Sequence, residues 1–210
     1  MRILIGNQKG GVGKSTLSIL FCNYLSLVKK KNVVAIDLDF QRSFLNQWET
    51  ENEVMDGEPP YKVIGYDLNK AVTLLDGIKD DYEHDYVIDS PGNLDNPDIL
   101  NILSHVDCIL IPFSYEKKAF ESTMVYARVA KHINKEAPIV FVANRVKKTA
   151  KVDTKEKVDI ELSRYGEIAP VKIYDRVDMD RLTTRGLSKI QMEVFDGFFN
   201  YFFPKYLITI

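Results

Sequence analysis

The chain has 210 residues and a mass of 24.1 kDa, with 45% hydrophobic and 28% charged residues, and 28 basic against 30 acidic side chains give it a formal charge of -2. That length suits one α/β domain with room for a core. The composition excludes a disordered tail, a fibrous protein and a strongly basic nucleic-acid coat, though not a local basic patch.

Short β-rich runs alternate with helical patterns from end to end. Strands are predicted at residues 2–5, 33–36, 62–65, 86–88, 108–111, 139–143 and 171–173. Most are continuously apolar, the pattern of parallel strands covered on both faces. Leu17, Leu20, Phe21, Tyr24, Leu25 and Val28 recur at helical spacing between the first two strands. Further helices are predicted at 43–53, 68–79, 97–104, 117–133, 154–164 and 189 to about 203, where Pro204 is expected to end the last. Strand–helix–strand repetition with right-handed crossovers gives a single domain over 1–210, an α/β doubly wound, mostly parallel sheet with helices on both faces. Cys22 and Cys108 lie in apolar segments without metal-ligand spacing and read as buried small hydrophobes of a reducing compartment. The apolar start, Ile3 to Ile5, is too short for a signal peptide. No uncharged apolar run approaches the ~18 residues of a membrane span, so a cytoplasmic domain is expected.

The informative stretch is Ile5-Gly6-Asn7-Gln8-Lys9-Gly10-Gly11-Val12-Gly13-Lys14-Ser15-Thr16. It follows a predicted strand and opens an amphipathic helix, the setting a phosphate loop needs. Glycines at 10, 11 and 13 let the backbone curl and present N–H groups to phosphate oxygens, and the positive end of the helix adds to the anion site. In such a loop Lys14 reaches the β- and γ-phosphates and the Ser15 hydroxyl holds Mg²⁺. At average residue usage a Gly-Gly-x-Gly-Lys-Ser/Thr string arises by chance in roughly one chain of this length per thousand.

Two carboxylate stations follow. The second strand runs into Asp37-Leu38-Asp39-Phe40-Gln41 and the fourth into Asp89-Ser90-Pro91-Gly92. Both lie at the carboxyl edge of the sheet, where ligands bind in this architecture. Strand alternation puts Asp37 and Asp39 on one side. Asp89 follows apolar residues at the strand mouth, as a Walker B acid does, and is expected to bind Mg²⁺ through water. Asn144, after the sixth strand, can donate and accept at once, which matches an adenine edge. No Asn-Lys-x-Asp guanine-reading motif occurs, and His84, His105 and His132 are too scattered to form a metal or nucleophile set.

The string Lys9-Gly-Gly-Val-Gly-Lys-Ser resembles the deviant Walker A motif of the ParA/MinD ATPases, and the whole is closest to the short ParA/ParF plasmid-partition type. The resemblance implies ATP and Mg²⁺ as ligands. It also implies that Lys9 reaches across a homodimer to the partner's ATP, so that each site is complete only when two chains face each other. Asp37-x-Asp39-x-Gln41 is similar to the family's switch I, implying that Asp37 supports the Mg²⁺ shell and Asp39 orients the attacking water. Phe40 stands where the family usually has Pro. Pro91-Gly92 is the matching place for switch II, and Asn144 followed by Arg145 resembles the adenine-contacting loop. Relatives of this kind partition plasmids: ATP makes them dimers that bind DNA nonspecifically, and a ParB- or ParG-like partner triggers slow hydrolysis. Arg2 lies in the first strand, so no N-terminal DNA-binding extension is expected.

DNA contact, and with it association with the nucleoid, would use Arg145, Lys147, Lys148, Lys151, Lys155 and Lys157, with Arg164, Arg176, Arg181 and Arg185 downstream. A solvated face explains the same residues as well. The alternative is a MinD-like positioning ATPase with a lipid-binding C-terminal helix. Its aromatic residues Phe195, Phe198, Phe199, Tyr201, Phe202, Phe203 and Tyr206 have only Lys205 as a nearby cation. The stripe of Ile190, Val194, Phe198 and Phe202 reads more simply as core or dimer packing.

Overall fold

The computed structural model describes residues 1–147 and 152–207. Its strands are β1 (Arg2–Ile5), β2 (Asn32–Asp37), β3 (Lys62–Gly65), β4 (His84–Asp89), β5 (Cys108–Phe113), β6 (Ile139–Val146) and β7 (Glu167–Tyr174). They form one sheet in the order β3-β2-β4-β1-β5-β6-β7, and every pairing among the described residues is parallel. The helices are α1 (Lys14–Asn23), α2 (Ser43–Val54), α3 (Leu68–Gly77), α4 (Pro97–Ser104), α5 (Lys117–Ile133), α6 (Val152–Leu162), the single turn α7 (Val177–Asp180) and α8 (Lys189–Tyr206).

Strand alternation builds two cores. Ile3, Ile5, Ala35 and Val87 face the side covered by α1, α2 and α8, while Leu4, Ile36 and Ile88 face the side covered by α3 to α6. Cys22 and Cys108 are free thiols buried in the first core, as expected of small hydrophobes. α8 turns Phe195, Phe198, Phe199 and Phe202 inward, where Phe21 meets three of them with ring centroids 4.8 to 6.1 Å apart. Each buried ring is worth about 1.5–3 kcal/mol relative to exposure. These four C-terminal aromatics are core, while Tyr201, Phe203 and Tyr206 are partly buried against it.

Four local features depart from the sequence expectation. α1 gives way at Tyr24–Val28 to a π-helical turn, with Lys29 N–H bonding the Tyr24 carbonyl at 3.1 Å. α7 was not foreseen: it is a single turn with no room for a periodic pattern. β7 is eight residues long rather than three and carries Pro170 inside it. As the sheet edge it tolerates a residue without an N–H, and its pairing with β6 shifts register between Phe141 and Ala143 at that point. Pro204, expected to stop the last helix, lies inside it. Only the last turn is affected, and that turn is held by Leu207 N–H to the Phe203 carbonyl at 3.0 Å and by Tyr206 packed 4.9 Å from the Phe202 ring.

Candidate nucleotide site

The sheet register sets the site. Ile5, the last residue of β1, lies opposite Asp89 at the end of β4, and Asp89 lies opposite Asp37 at the end of β2. The loop that leaves β1 therefore starts in the same row as the two acids. Both are two residues beyond Ala35 and Val87, so alternation turns them toward α1.

The loop is braced on three sides. The fully buried Asn7 amide donates to the Pro112 carbonyl and to Thr123 Oγ1, each at 2.8 Å, and its carbonyl accepts Lys9 N–H at 3.1 Å. Asn144 donates to the Val12 carbonyl at 2.8 Å from the space that a side chain on Gly13 would fill. Gly13 has φ 87°, a left-handed conformation that only glycine holds without strain. From the loop after β4, Gly92 presses so close that a Cβ on it would lie 3.0 Å from the Gln8 carbonyl oxygen and 3.5 Å from Lys14 Nζ. The first helical bond, Leu17 N–H to Gly13 C=O at 2.9 Å, leaves the amides of Lys14, Ser15 and Thr16 outside the helical ladder. No acid occupies the first turn of α1. That combination of free amides, helix dipole and lysine is an anion site.

Asp89 decides what the anion carries. It is fully buried beneath the loop; Ser18 Oγ donates to its Oδ1 at 3.2 Å, and its Oδ2 has no hydrogen-bond partner. Burial pushes its pKa up to about 7, the Asp37 charge adds to the rise, and the Ser15 hydroxyl and Lys14 ammonium lower it. An orphaned carboxylate oxygen beside a second buried acid and a serine hydroxyl is an all-oxygen set of the kind hard divalent cations take. Among the described residues no three acids, histidines or cysteines close a cage by themselves. The fit is to a cation that shares its shell with phosphate oxygens.

Residues 3–189 match the CobQ/CobB/MinD/ParA nucleotide binding domain, the CbiA family. The chain belongs to that family. Among characterised relatives, the chromosome-partitioning ATPase Soj of Thermus thermophilus is 28% identical over 144 residues, a match spanning 57% of this chain and 57% of Soj. Among solved structures, a plasmid partition protein from Borrelia burgdorferi B31 bound to AMPPNP superposes with a TM-score of 0.75 at 22% identity, over 97% of this chain and 98% of that one. MinD of Aquifex aeolicus gives 0.76 at 18% identity over 97% of each chain. At such identities the two structures establish the shared fold.

Against the sequence expectations, the structure brings Lys14, Ser15, Asp37 and Asp89 within electrostatic reach of one another and holds Val12 and Gly13 against Asn144, whereas Gly10 and Gly11 are exposed and Gly11 lines a separate recess with Ser114, Glu116, Arg145, Lys147 and Asp175. Asp37 has a distinct task. Its Oδ1 accepts Asp39 N–H and its Oδ2 accepts Leu45 N–H, both at 3.0 Å, so it clamps the two ends of switch I. Burial raises its pKa and those two amides oppose the rise. β2 stops at Asp37, so alternation does not extend to Asp39, which instead opens a turn and accepts Gln41 N–H on its own carboxylate at 3.0 Å. Asp39 lines a cavity of about 540 Å³ between the switches, together with Phe40, Arg42, Tyr66, Asp67 and Pro91. Lys9 is half-buried, and its charge helps the Lys147 ion pair hold Glu116 below the usual carboxylate range.

The amide N–H group of Asn144, expected from the sequence to meet adenine, is committed to the phosphate loop. Beside it Thr16, Arg145, Tyr174, Asp175, Arg176 and Met179 line a small recess, of which the sequence marked out Thr16, Arg145 and Arg176 but not Tyr174, Asp175 or Met179. Asn7 was missed too, because its partners are more than a hundred residues away. Much of the basic set is engaged within the protein. Lys147 pairs with Glu116, Arg164 with Glu161 and Arg176 with Asp178, while Lys155 lies over the Tyr115 ring. Arg185 binds Asn52 and the carbonyls of Asp56 and Gly57. Lys148 and Lys151 lie outside the described residues. No helix among the described residues is long and apolar enough to cross a membrane.

Proposed function

We propose that the chain is a ParA-type ATPase that binds Mg-ATP, pairs face to face with a second copy across the nucleotide, and hydrolyses ATP slowly to partition DNA with a ParB- or ParG-like partner. The observation that carries the reading is Asp89: a buried carboxylate with an unpartnered oxygen, set beneath a braced phosphate loop, has no use in an apolar core and a direct use beside a cation–phosphate pair.

In this mechanism the amides of Lys14, Ser15 and Thr16 cradle the phosphates, and Lys14 neutralises the β- and γ-oxygens. Ser15 and Asp89 would hold Mg²⁺, with Asp37 behind them, and the cation would supply charge neutralisation at the same oxygens. Gly92, packed on Gln8 and Lys14, lets the switch II backbone sense the γ-position directly. Asp39 orients the attacking water. Lys9, half-buried in the loop, completes the site of a facing chain, which couples ATP binding to dimerisation. Slow turnover suits a switch that must persist until its partner arrives. The chromosome-partitioning role of Soj supports partition as the setting. The buried faces of Phe195, Phe198, Phe199 and Phe202 weigh against a MinD-like lipid role for α8.

Three variants test the assignment. Lys14→Ala should abolish tight ATP binding. Lys9→Ala should bind ATP yet stay monomeric by light scattering, and an ATP-dependent dimer in that variant would defeat the trans role. Asp39→Ala should hold ATP unhydrolysed. Anisotropy on a random-sequence duplex then tests DNA: binding that needs ATP and weakens steeply with salt supports partition, and no binding in any nucleotide state defeats it.

A further inference from the structure

The turn that carries Asp39 is held by a residue for which the backbone alone gives no reason. Asp39 C=O accepts Arg42 N–H at 3.0 Å, and Arg42 C=O then accepts Asn46 N–H at 2.8 Å, so Arg42 closes the turn and starts α2. It does so at φ 51°, in the left-handed region. That conformation costs a non-glycine residue about 1–2 kcal/mol, and glycine or asparagine would meet it more readily. What arginine adds is a side chain that folds back under the turn. One guanidinium nitrogen donates to Asp67 Oδ1 at 3.0 Å and another lies 3.5 Å from the Asp37 carbonyl. The guanidinium fills the space above Gly65, the residue opposite Asp37 in register, so closely that a Cβ there would collide with it. The sheet end, the β3–α3 loop and the switch I turn thus meet on one side chain, which also walls the cavity that Asp39 lines.

We infer that Arg42 is a positioning residue for hydrolysis. Its contacts are to Asp67, the Asp37 carbonyl and the space above Gly65. By tying the turn to Asp67 and to the end of β2 it fixes where the Asp39 carboxylate stands, while Asp37 clamps the turn's two amides from the other side. The inference rests on the ATPase reading and adds to it a residue outside the motif. Strain at a switch held by its surroundings is the pattern expected when geometry serves a reaction.

The test compares ATP turnover, ATP affinity and Trp48 emission in the full chain and its variants. Trp48 is the chain's single tryptophan and sits on α2, donating to the Tyr61 carbonyl at 3.0 Å, so it reports whether that helix stays in place. Arg42→Ala should lower kcat about tenfold, the scale of a small misplacement of a catalytic group. KM, affinity for a fluorescent ATP analogue and Trp48 emission should stay within experimental error. Asp67→Ala removes the same tie from an exposed residue that makes no cap hydrogen bond, so it threatens the fold least and should lower kcat in the same direction. The double variant should be no slower than Arg42→Ala alone. Arg42→Lys should recover only part of the rate, because one ammonium cannot serve both contacts. Unchanged kcat in Arg42→Ala and Asp67→Ala, or a loss matched by a rise in KM and a shifted Trp48 spectrum, would overturn the inference. A wild-type chain that neither binds nor hydrolyses ATP would instead defeat the reading beneath it.

Discussion

Asn7 offers the sharpest test of how the phosphate loop is held. Its side chain has no exposed surface and spends all three of its contacts within the protein: two donated at 2.8 Å and one accepted at 3.1 Å. Asn7→Ala would strip partners from the buried Pro112 carbonyl and from Lys9 N–H, whereas Thr123 Oγ1 would still donate to the Ala119 carbonyl at 2.7 Å. Two orphaned groups at about 1–3 kcal/mol each, one of them within reach of water, place the loss near 3 kcal/mol. Thr123→Val leaves one asparagine N–H unpaired and should cost about 1–2 kcal/mol. The double variant should fall short of the summed losses by about 1 kcal/mol, because the two residues share a bond. Urea unfolding followed by circular dichroism measures all three. The same Asn7→Ala chain should bind ATP at least about tenfold more weakly without having touched the nucleotide, since the loop is no longer set before the ligand arrives. A stability loss below about 1 kcal/mol, or additive single variants, would refute the account of the loop as a structure braced from β5 and α5.

Two further outcomes follow from polar groups elsewhere. Glu51 on α2 accepts Thr183 Oγ1 at 2.9 Å, Thr184 N–H at 2.6 Å and Thr184 Oγ1 at 2.7 Å, tying α2 to the segment before α8. Burial raises its pKa, but the hydrogen bonds from Thr184, Gln47 and Thr183 together bring it below the usual glutamate value. Its contribution is therefore present above the unfolded-state pKa of about 4.5 and is lost as pH falls through the lower folded value. Glu51→Gln should cost about 1–2 kcal/mol at pH 7 and progressively less below pH ~4.5, read from urea midpoints across that range. The Tyr126 hydroxyl is buried over Gly6 with no hydrogen-bond partner. Tyr126→Phe should change stability by less than about 0.5 kcal/mol or raise it, where an ordinary buried hydroxyl would cost about 1 kcal/mol; a larger loss would show the group to be satisfied.

How much of this was legible in the sequence depended on where each residue's partners lie. Lys14, Ser15 and the glycines around them were readable because their pattern is local, a tight loop opening a helix. Asp89 was readable because an acid closing an apolar run is conspicuous, although its orphaned oxygen and raised pKa were not. The central strands showed as apolar runs because both their faces are covered. β7 did not, since its edge position admits Glu167 and Pro170 among half-buried residues. Asn7 and Asn144 brace the loop across 105 and 132 residues of sequence, beyond the reach of any spacing rule. The π-helical turn was invisible because the apolar spacing from Leu17 to Val28 suits an α-helix equally well. Gly65 read as the end of a strand, and only the guanidinium lying over it explains why no side chain belongs there.

The placement of β1 between β4 and β5 has a consequence for how the molecule is born. Ile3 pairs with Val87 on one side and with Cys108 on the other. At ~5–20 residues per second of synthesis, on the order of 5 to 20 s separate the appearance of Ile3 from that of its second neighbour. Throughout that interval the first strand is an apolar segment with an open edge on at least one side, and the loop behind it has no walls against which to set. The first strand gains its second neighbour only when β5 emerges, and a chain stalled before that point would hold a phosphate loop without the β5 wall that Asn7 grips.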